Sequence, residues 1–319
     1  MIEVKHLTKR YGGHTAVSDL SFTIEPGQIY GFLGPNGAGK STTMNIITGC
    51  LGATDGEVLV DGHSVLDEPI EAKKCIGYLP ELPPLYTDMT PTEYLKLVLR
   101  LKGVKKSDWD AQLRHVMDRT KLHDVKDRLI GNLSKGYRQR VGIAQALLGN
   151  PKVIILDEPT VGLDPAQIIE IRELIKSLGR EHTVILSSHI LSEVQAVCDQ
   201  IMIIAHGRLV ASDTAENLTS LMASGSRIEM TVRTALKDTE RVLVHMEGIE
   251  SAGYKTLEEG ETAVQILPRE GADIRASLFF AFAEAGLPII EMKRERATLE
   301  DVFLELTQED HGIQEVTQA

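Results

Sequence analysis

Along the first two-thirds of the chain, short apolar runs alternate with stretches whose apolar residues recur at helical spacing. Ile29–Leu33 is one such run; it closes in a glycine-rich turn and leads into a helical stretch over about Lys40–Thr48. Val153-Ile154-Ile155-Leu156 and Thr183-Val184-Ile185-Leu186 have no polar alternation, which is the pattern of parallel strands covered on both faces. Between them Ile168, Ile171, Ile175 and Leu178 fall on one helical face behind Pro165, a residue suited to a helix's first turn. A mostly helical stretch from about Pro91 to Leu148, broken near Gly131, interrupts the strands and predicts a helical insert. Gln200 to Ala211 predicts a hairpin turning at His206-Gly207. This alternation of strands and helices predicts an α/β fold.

Near Gly225 the texture changes. Arg227–Val232 alternates strictly between polar and apolar residues, as a half-buried strand does. A helix is expected over about Ala235–Met246, and strands near Gly253–Leu257 and Ala263–Leu267 around a Glu-Gly turn. A second helix carries Ile274, Leu278 and Phe282; a strand follows at Ile289–Lys293 and a last helix at Thr298–Leu306. The order βαββαβ predicts a small α+β domain of the split-βαβ, ferredoxin-like type. The expected organisation is a larger α/β domain over 1–225, an accessory domain over 226–307 and a polar tail over 308–319.

Composition narrows the function classes. The 319 residues exceed one typical domain, and 42% hydrophobic residues support a full core. The net charge of -12 argues against a nucleic-acid footprint, which would be basic. The acidity is uneven: Ser226–Ala319 holds 10 basic against 19 acidic residues. Cys50, Cys75 and Cys198 show no CxxC spacing, so neither a disulfide framework nor a zinc site is expected, and all three are read as small buried apolar residues. Met1–Arg10 has no apolar core of a secretory leader, and no run approaches the ~20 apolar residues that span a bilayer. A soluble protein is expected, with any membrane role exercised through a partner.

The candidate chemistry begins at Gly34-Pro35-Asn36-Gly37-Ala38-Gly39-Lys40-Ser41-Thr42, which fits G-x-x-x-x-G-K-[ST] between a strand and a helix. Its glycines let backbone wrap closely round phosphate oxygens, and the helix that follows presents its positive end to them. Lys40 is placed to reach the β and γ phosphates, and the Ser41 hydroxyl to ligate Mg²⁺. The apolar run Val153–Leu156 then delivers Asp157 and Glu158. Asp157 is assigned to Mg²⁺ through its water shell, and Glu158 to orienting and deprotonating the attacking water. His189 follows the strand Thr183–Leu186 at the ligand-binding edge expected of a parallel sheet, where an imidazole can stabilise the γ-phosphate or hold the carboxylate and water in line. Lys40, Glu158 and His189 are the candidate catalytic residues; the other histidines, His6 and His63 among them, are read as ordinary surface or core residues.

Leu133-Ser134-Lys135-Gly136-Tyr137-Arg138-Gln139-Arg140 adds a more specific element, for it resembles the LSGGQ signature of ABC ATPases and lies upstream of Asp157-Glu158 as in that family. Gly162-Leu163-Asp164-Pro165 resembles the family's D-loop, His189 its switch histidine, and Tyr11 the aromatic that stacks on adenine. The resemblance covers about residues 1–220. It implies ATP and Mg²⁺ as cofactors and a head-to-tail homodimer. In that dimer ATP lies between the phosphate loop of one copy and the Ser134-Lys135-Gly136 loop of the other. The sequence departs from the pattern in two motifs. Glu81 stands at the Q-loop position, where it can still ligand Mg²⁺ through one oxygen but cannot donate a hydrogen bond; Lys135 and Tyr137 vary the signature itself.

The segment Ala297–Thr307 is similar to the end of exporter-type ABC subunits, which pair with a separately encoded permease. The resemblance therefore implies an ATP-hydrolysing subunit that energises export from the cytoplasmic side, held to the inner face of the membrane by an integral-membrane permease, with no nucleic-acid partner. The competing reading is a soluble ABC ATPase acting without a permease, in translation or repair. Such translation factors usually carry two cassettes and repair ATPases a long coiled coil, and neither pattern is present in this sequence.

Overall fold

The computed structural model describes residues 1–221, 227–244, 246–257, 260–269, 273–295 and 299–308. The chain divides into two compact units, one built on Met1–Ala215 and the other spanning Glu216–Glu305. The expected boundary at 225, Thr298 at the start of the last helix and the tail beyond 308 lie outside the described residues.

The first unit opens with strands β1 (Ile2–Tyr11) and β2 (His14–Ile24), followed by β3 (Ile29–Leu33) and helix α1 (Lys40–Ile47). Next come β4 (Asp55–Val60), β5 (His63–Ser64), α2 (Pro69–Lys74) and β6 (Ile76–Leu79). The helical insert consists of α3 (Pro91–Leu101), α4 (Trp109–Thr120) and α5 (Lys135–Leu147). Then follow β7 (Val153–Asp157), α6 (Pro165–Leu178), β8 (Thr183–Ser188), α7 (Leu191–Val197), β9 (Gln200–Ala205) and β10 (Arg208–Asp213).

Two sheets organise these elements. An antiparallel sheet has the order β2-β1-β4-β5, and a six-stranded sheet has the order β10-β9-β3-β8-β7-β6. In the second sheet β3, β6, β7, β8 and β9 run parallel, and β10 closes one edge antiparallel to β9. The pleat divides the apolar strands between two cores. Val153, Ile155 and Ile185 join the core shared with α1 and the antiparallel sheet, whereas Ile154, Leu156, Val184 and Leu186 join the core shared with α3 to α6. All five residues of β7 are buried, which is why its sequence shows no alternation.

Local chemistry sets the helix starts. Thr90 and Glu93 form a reciprocal capping box at α3, and Asp164 accepts from the Gln167 amide at 2.9 Å with Pro165 in the first turn of α6. The hairpin at His206-Gly207 is present, with φ of 50° and 75° at those two residues. Cys50 is exposed, contrary to its expected burial: it sits just past the end of α1, where the chain leaves the core. Cys75 and Cys198 are intermediate, so full burial is not reached at either. Cys198 lies close against Gly31, where an added Cβ would approach its sulfur at 2.9 Å.

The second unit begins at Glu216 within α8 (Ala215–Leu221), continues through β11 (Arg227–Val232), α9 (Leu236–Leu243), β12 (Ile249–Thr256), β13 (Thr262–Pro268), α10 (Arg275–Glu284) and β14 (Ile289–Glu295), and takes in α11 (Leu299–Gln308) as far as Glu305. Its sheet is antiparallel in the order β12-β13-β11-β14, the split-βαβ arrangement. Ile228, Met230, Val232, Val264 and Ile266 point from one sheet face into a core shared with Leu243, Leu278 and Phe282 of the two helices.

Candidate functional site

The loop between β3 and α1 forms one wall of a cavity of ≈ 610 Å³. Gly37 and Gly39 hold φ of 83° and 102°, conformations that L side chains avoid. A Cβ on Gly39 would also lie 2.6 Å from the Ala16 carbonyl oxygen, and one on Gly34 would lie 2.3 Å from that of Ile204. Space and dihedral angle together therefore require glycine at 39. Gly39 is the N-cap of α1 and no side chain caps that helix, so its first-turn N–H groups remain suited to an anionic ligand. Asn36, Ser41 and Thr42 line the same wall, while Ala38 is buried behind it.

Lys40 is 6% exposed. Its Nζ donates to the Gly34 carbonyl at 2.8 Å and to the Pro35 carbonyl at 3.2 Å, which pins the ammonium across the loop. Burial pushes its pKa below 10.5, and the charges of Glu158, Asp157 and Glu81 oppose that shift. The Glu158 carboxylate is 3.8 Å away.

Opposite stand the ends of β7 and β8. Asp157 is buried; its Oδ1 accepts from Ser41 Oγ at 3.3 Å and also from the Ser187 hydroxyl. Glu158, at 7% exposure, has φ of 49°, an uncommon conformation for a residue with a side chain. Its amide donates to the Ser187 carbonyl at 3.1 Å, tying it to the end of β8. Nδ1 of His189 lies 2.9 Å from Oε2 and 3.0 Å from Oε1 of Glu158. Glu158, His189, Glu81 and Tyr11 complete the cavity wall, with Tyr11 half exposed at its rim.

The structure thus brings together the phosphate loop, Asp157, Glu158, His189, Glu81 and Tyr11, but not the Ser134-Lys135-Gly136 loop, which does not line this cavity. Ser134 instead caps α5, accepting from the Tyr137 amide at 3.4 Å. Gly136 packs so closely on Gln167 that a Cβ would meet its Oε1 at 2.5 Å, and the Lys135 ammonium lies over Gly162. His14 and Ala16 also line the cavity and were not anticipated. The signal for His14 was present in Gly12-Gly13: the turn pairs Tyr11 with His14 across β1 and β2. Ser187 had no such local signal.

A glycine-rich loop opening an uncapped helix, with a buried lysine facing paired carboxylates, defines a P-loop nucleoside-triphosphate-binding domain. Residues 17–161 match the family model described as ABC transporter. The bacitracin transport ATP-binding protein BcrA of Bacillus licheniformis is 33% identical over 96% of this chain and 97% of its own length. The linearmycin resistance ATP-binding protein LnrL of Bacillus subtilis (strain 168) is 31% identical over 96% of this chain and 98% of its own. Among solved structures, the dimeric post-hydrolysis state of the cassette MJ0796 bound to ADP and Pi aligns with a TM-score of 0.61 at 27% identity, covering 67% of this chain and 98% of that one. The chain belongs to the ABC transporter ATP-binding family. It binds ATP and hydrolyses it to drive transport. Among the described residues no helix is long and apolar enough to cross a membrane.

Proposed function

We propose that this chain energises export by a separate integral-membrane permease, acting as a head-to-tail homodimer on the cytoplasmic face of the cell membrane. Transport of bacitracin and resistance to linearmycin, named for two relatives that match nearly end to end, support the export reading. The observation that carries the catalytic assignment is the Glu158 carboxylate held between His189 at 2.9 Å and Lys40 at 3.8 Å on the wall of the phosphate-loop cavity.

In this reading Glu158 takes the proton of the attacking water, and His189 holds Glu158 and the γ-phosphate in line. With Glu158 ionised, the short contact requires the imidazole proton on Nδ1. Lys40 and the first-turn amides of α1 bind the β and γ phosphates, Asn36, Gly37, Gly39 and Thr42 shape the cradle, and Tyr11 stacks on adenine. Gly34 and Pro35 act through the carbonyls that fix Lys40, and Ala38 through its packing behind the loop. Ser134, Lys135 and Gly136 act on the other copy's nucleotide; the N-terminal end of α5 gives them a polarity suited to a γ-phosphate.

Ser41, Asp157 and Glu81 fit Mg²⁺ because they offer the oxygen ligands it takes. Among the described residues no group of three or more His, Cys, Asp or Glu forms a metal site. Phosphate oxygens and water would complete the coordination of a bound ion. When bound, Mg²⁺ supplies charge neutralisation to the phosphates. We assign residues 226–307 a regulatory or dimer-stabilising role, against which a truncation near Gly225 with unchanged dimerisation and ATPase would count.

The direct test is light scattering after size exclusion of Glu158→Gln with and without ATP. Removing the base should trap ATP while sparing the cradle, so a monomer that dimerises only with ATP is the expected result. ATP binding without dimerisation would overturn the homodimer assignment.

A further inference from the structure

Glu193, on α7, is 3% exposed, does not line the cavity and has no role assigned above. A buried carboxylate is costly unless hydrogen-bonded, and its partners are informative. Its Oε2 accepts from the hydroxyl of Thr160, two residues beyond Glu158, and from the Ser188 hydroxyl, one residue before His189, at 3.2 Å. Both hydroxyl residues are buried. Ser188 Oγ in turn accepts from the Ile190 amide at 3.0 Å, which closes the backbone around His189. The other oxygen, Oε1, faces Arg172 of α6 at 4.0 Å. One carboxylate therefore fastens the segment after β7 to the segment after β8.

We propose that Glu193 is a positioning residue for hydrolysis, setting the approach of His189 to Glu158. The backbone supplies the reason such a fastening is needed. Glu158 sits at φ of 49°, and a side-chain residue persists there only when its surroundings over-determine it. The Glu158 amide is held by the Ser187 carbonyl, the Glu158 carbonyl accepts from Val161 at 3.3 Å, and Thr160 is gripped by Glu193. The strained residue is thus fixed on both sides, by β8 before it turns and by α7 after. Releasing Thr160 and Ser188 frees both strand ends, and the Glu158–His189 contact loosens without any change in the phosphate loop. The proposal rests on the catalytic assignment of Glu158 and His189 made above.

The test measures steady-state Mg-ATPase and, separately, the equilibrium binding of ATP, on the full-length chain. Glu193→Ala should lower kcat by roughly 10- to 100-fold, the cost of misplacing a catalytic group by about 1 Å, with ATP affinity changed less than about threefold because the cradle is intact. Glu193→Gln keeps an oxygen for both hydroxyls and should stay within about threefold of wild type. Should Glu193→Ala fail to fold, Thr160→Val and Ser188→Ala each remove one bond, and each should lower kcat with ATP affinity kept. Where Glu193→Ala folds, adding Thr160→Val should cost little more, since both act through one contact. Unchanged kcat in these variants, or kcat and affinity falling together, would overturn the proposal. Glu158→Gln separates the two levels. If it abolishes turnover while Glu193→Ala is fully active, only the positioning role fails; if Glu158→Gln turns over normally, the catalytic assignment itself fails.

Discussion

The hydroxyl of Ser41 in the first turn of α1 donates to Oδ1 of Asp157 at the end of β7, at 3.3 Å, although the two residues lie 116 positions apart. The hydroxyl and carboxylate assigned to one metal ion are therefore already adjacent in the folded chain. Ser41→Ala should weaken ATP binding about tenfold in the presence of Mg²⁺, on the scale of one hydrogen bond or ligand to a charged group. In EDTA the variant and the wild type should bind ATP alike. Calorimetric titration in both buffers checks this, and an equal loss with and without Mg²⁺ would place Ser41 on phosphate alone.

Gly39 provides a test of the cradle's backbone. Gly39→Ala forces a side chain to φ of 102° and puts its Cβ 2.6 Å from the Ala16 carbonyl oxygen. Strain of this kind costs about 1–3 kcal/mol, and the Ala16 backbone cannot swing away as a side chain would. ATP binding should be lost and the urea midpoint of the first unit lowered. Gly37→Ala makes the useful contrast: φ is 83°, yet nothing lies within 4 Å of the added Cβ. It should cost strain alone and retain more binding than Gly39→Ala.

The elements carrying these residues were legible because local pattern and tertiary role coincide. Ile29–Leu33 and the start of α1 were bounded to the residue, since a strand buried on both faces ends where glycine begins. The second unit was legible for a related reason: one solvated and one packed sheet face give Arg227–Val232 a strict alternation. The first two strands were not anticipated. Their pairing has register shifts between Val4 and Leu7 and between Leu7 and Lys9, and His6 and Asp19 carry φ of 50° and 53°, so the period of two is broken. β12 was expected four residues late, because Ile249–Ala252 on an edge strand shows no clean alternation. The insert breaks at Gly103 and Lys121 as well as near Gly131, both with left-handed φ, and only the first is signalled by residue type. Ser187 and Glu193 stayed hidden because each meets its partner through the register of β7 against β8, which no local pattern encodes.

Phe282 is fully buried between α10 and the sheet of the second unit. Phe282→Ala should remove about 3–5 kcal/mol from that unit's stability, the range for deleting a buried aromatic side chain. Hydrogen exchange followed by mass spectrometry on the full chain should show faster exchange across β11 to β14. The peptides of β3, β7 and β8 should keep wild-type rates, because the two units have separate cores. Equal acceleration in both would mean that the units unfold together.

Arg119 of α4 donates to Oε1 of Glu181 at 2.6 Å and to the Ser177 carbonyl at 3.2 Å, linking the helical insert to the end of α6. The Arg119 hydrogen bond and charge hold the Glu181 carboxyl below its ordinary 4.5. For a carboxylate depressed by folding, the unfolded chain binds the proton more readily, so stability rises with pH across the interval between the folded and unfolded values. The contribution is fully present above 4.5 and is lost as pH falls through the lower, folded value. Glu181→Gln should therefore melt below the wild type at neutral pH, and the two melting curves should converge as the pH drops beneath 4.5. Glu181 is half exposed, so the neutral-pH gap should shrink in high salt. A gap that persists unchanged at acid pH and in salt would mean that the glutamate stabilises through packing of its stem, with the ion pair contributing nothing.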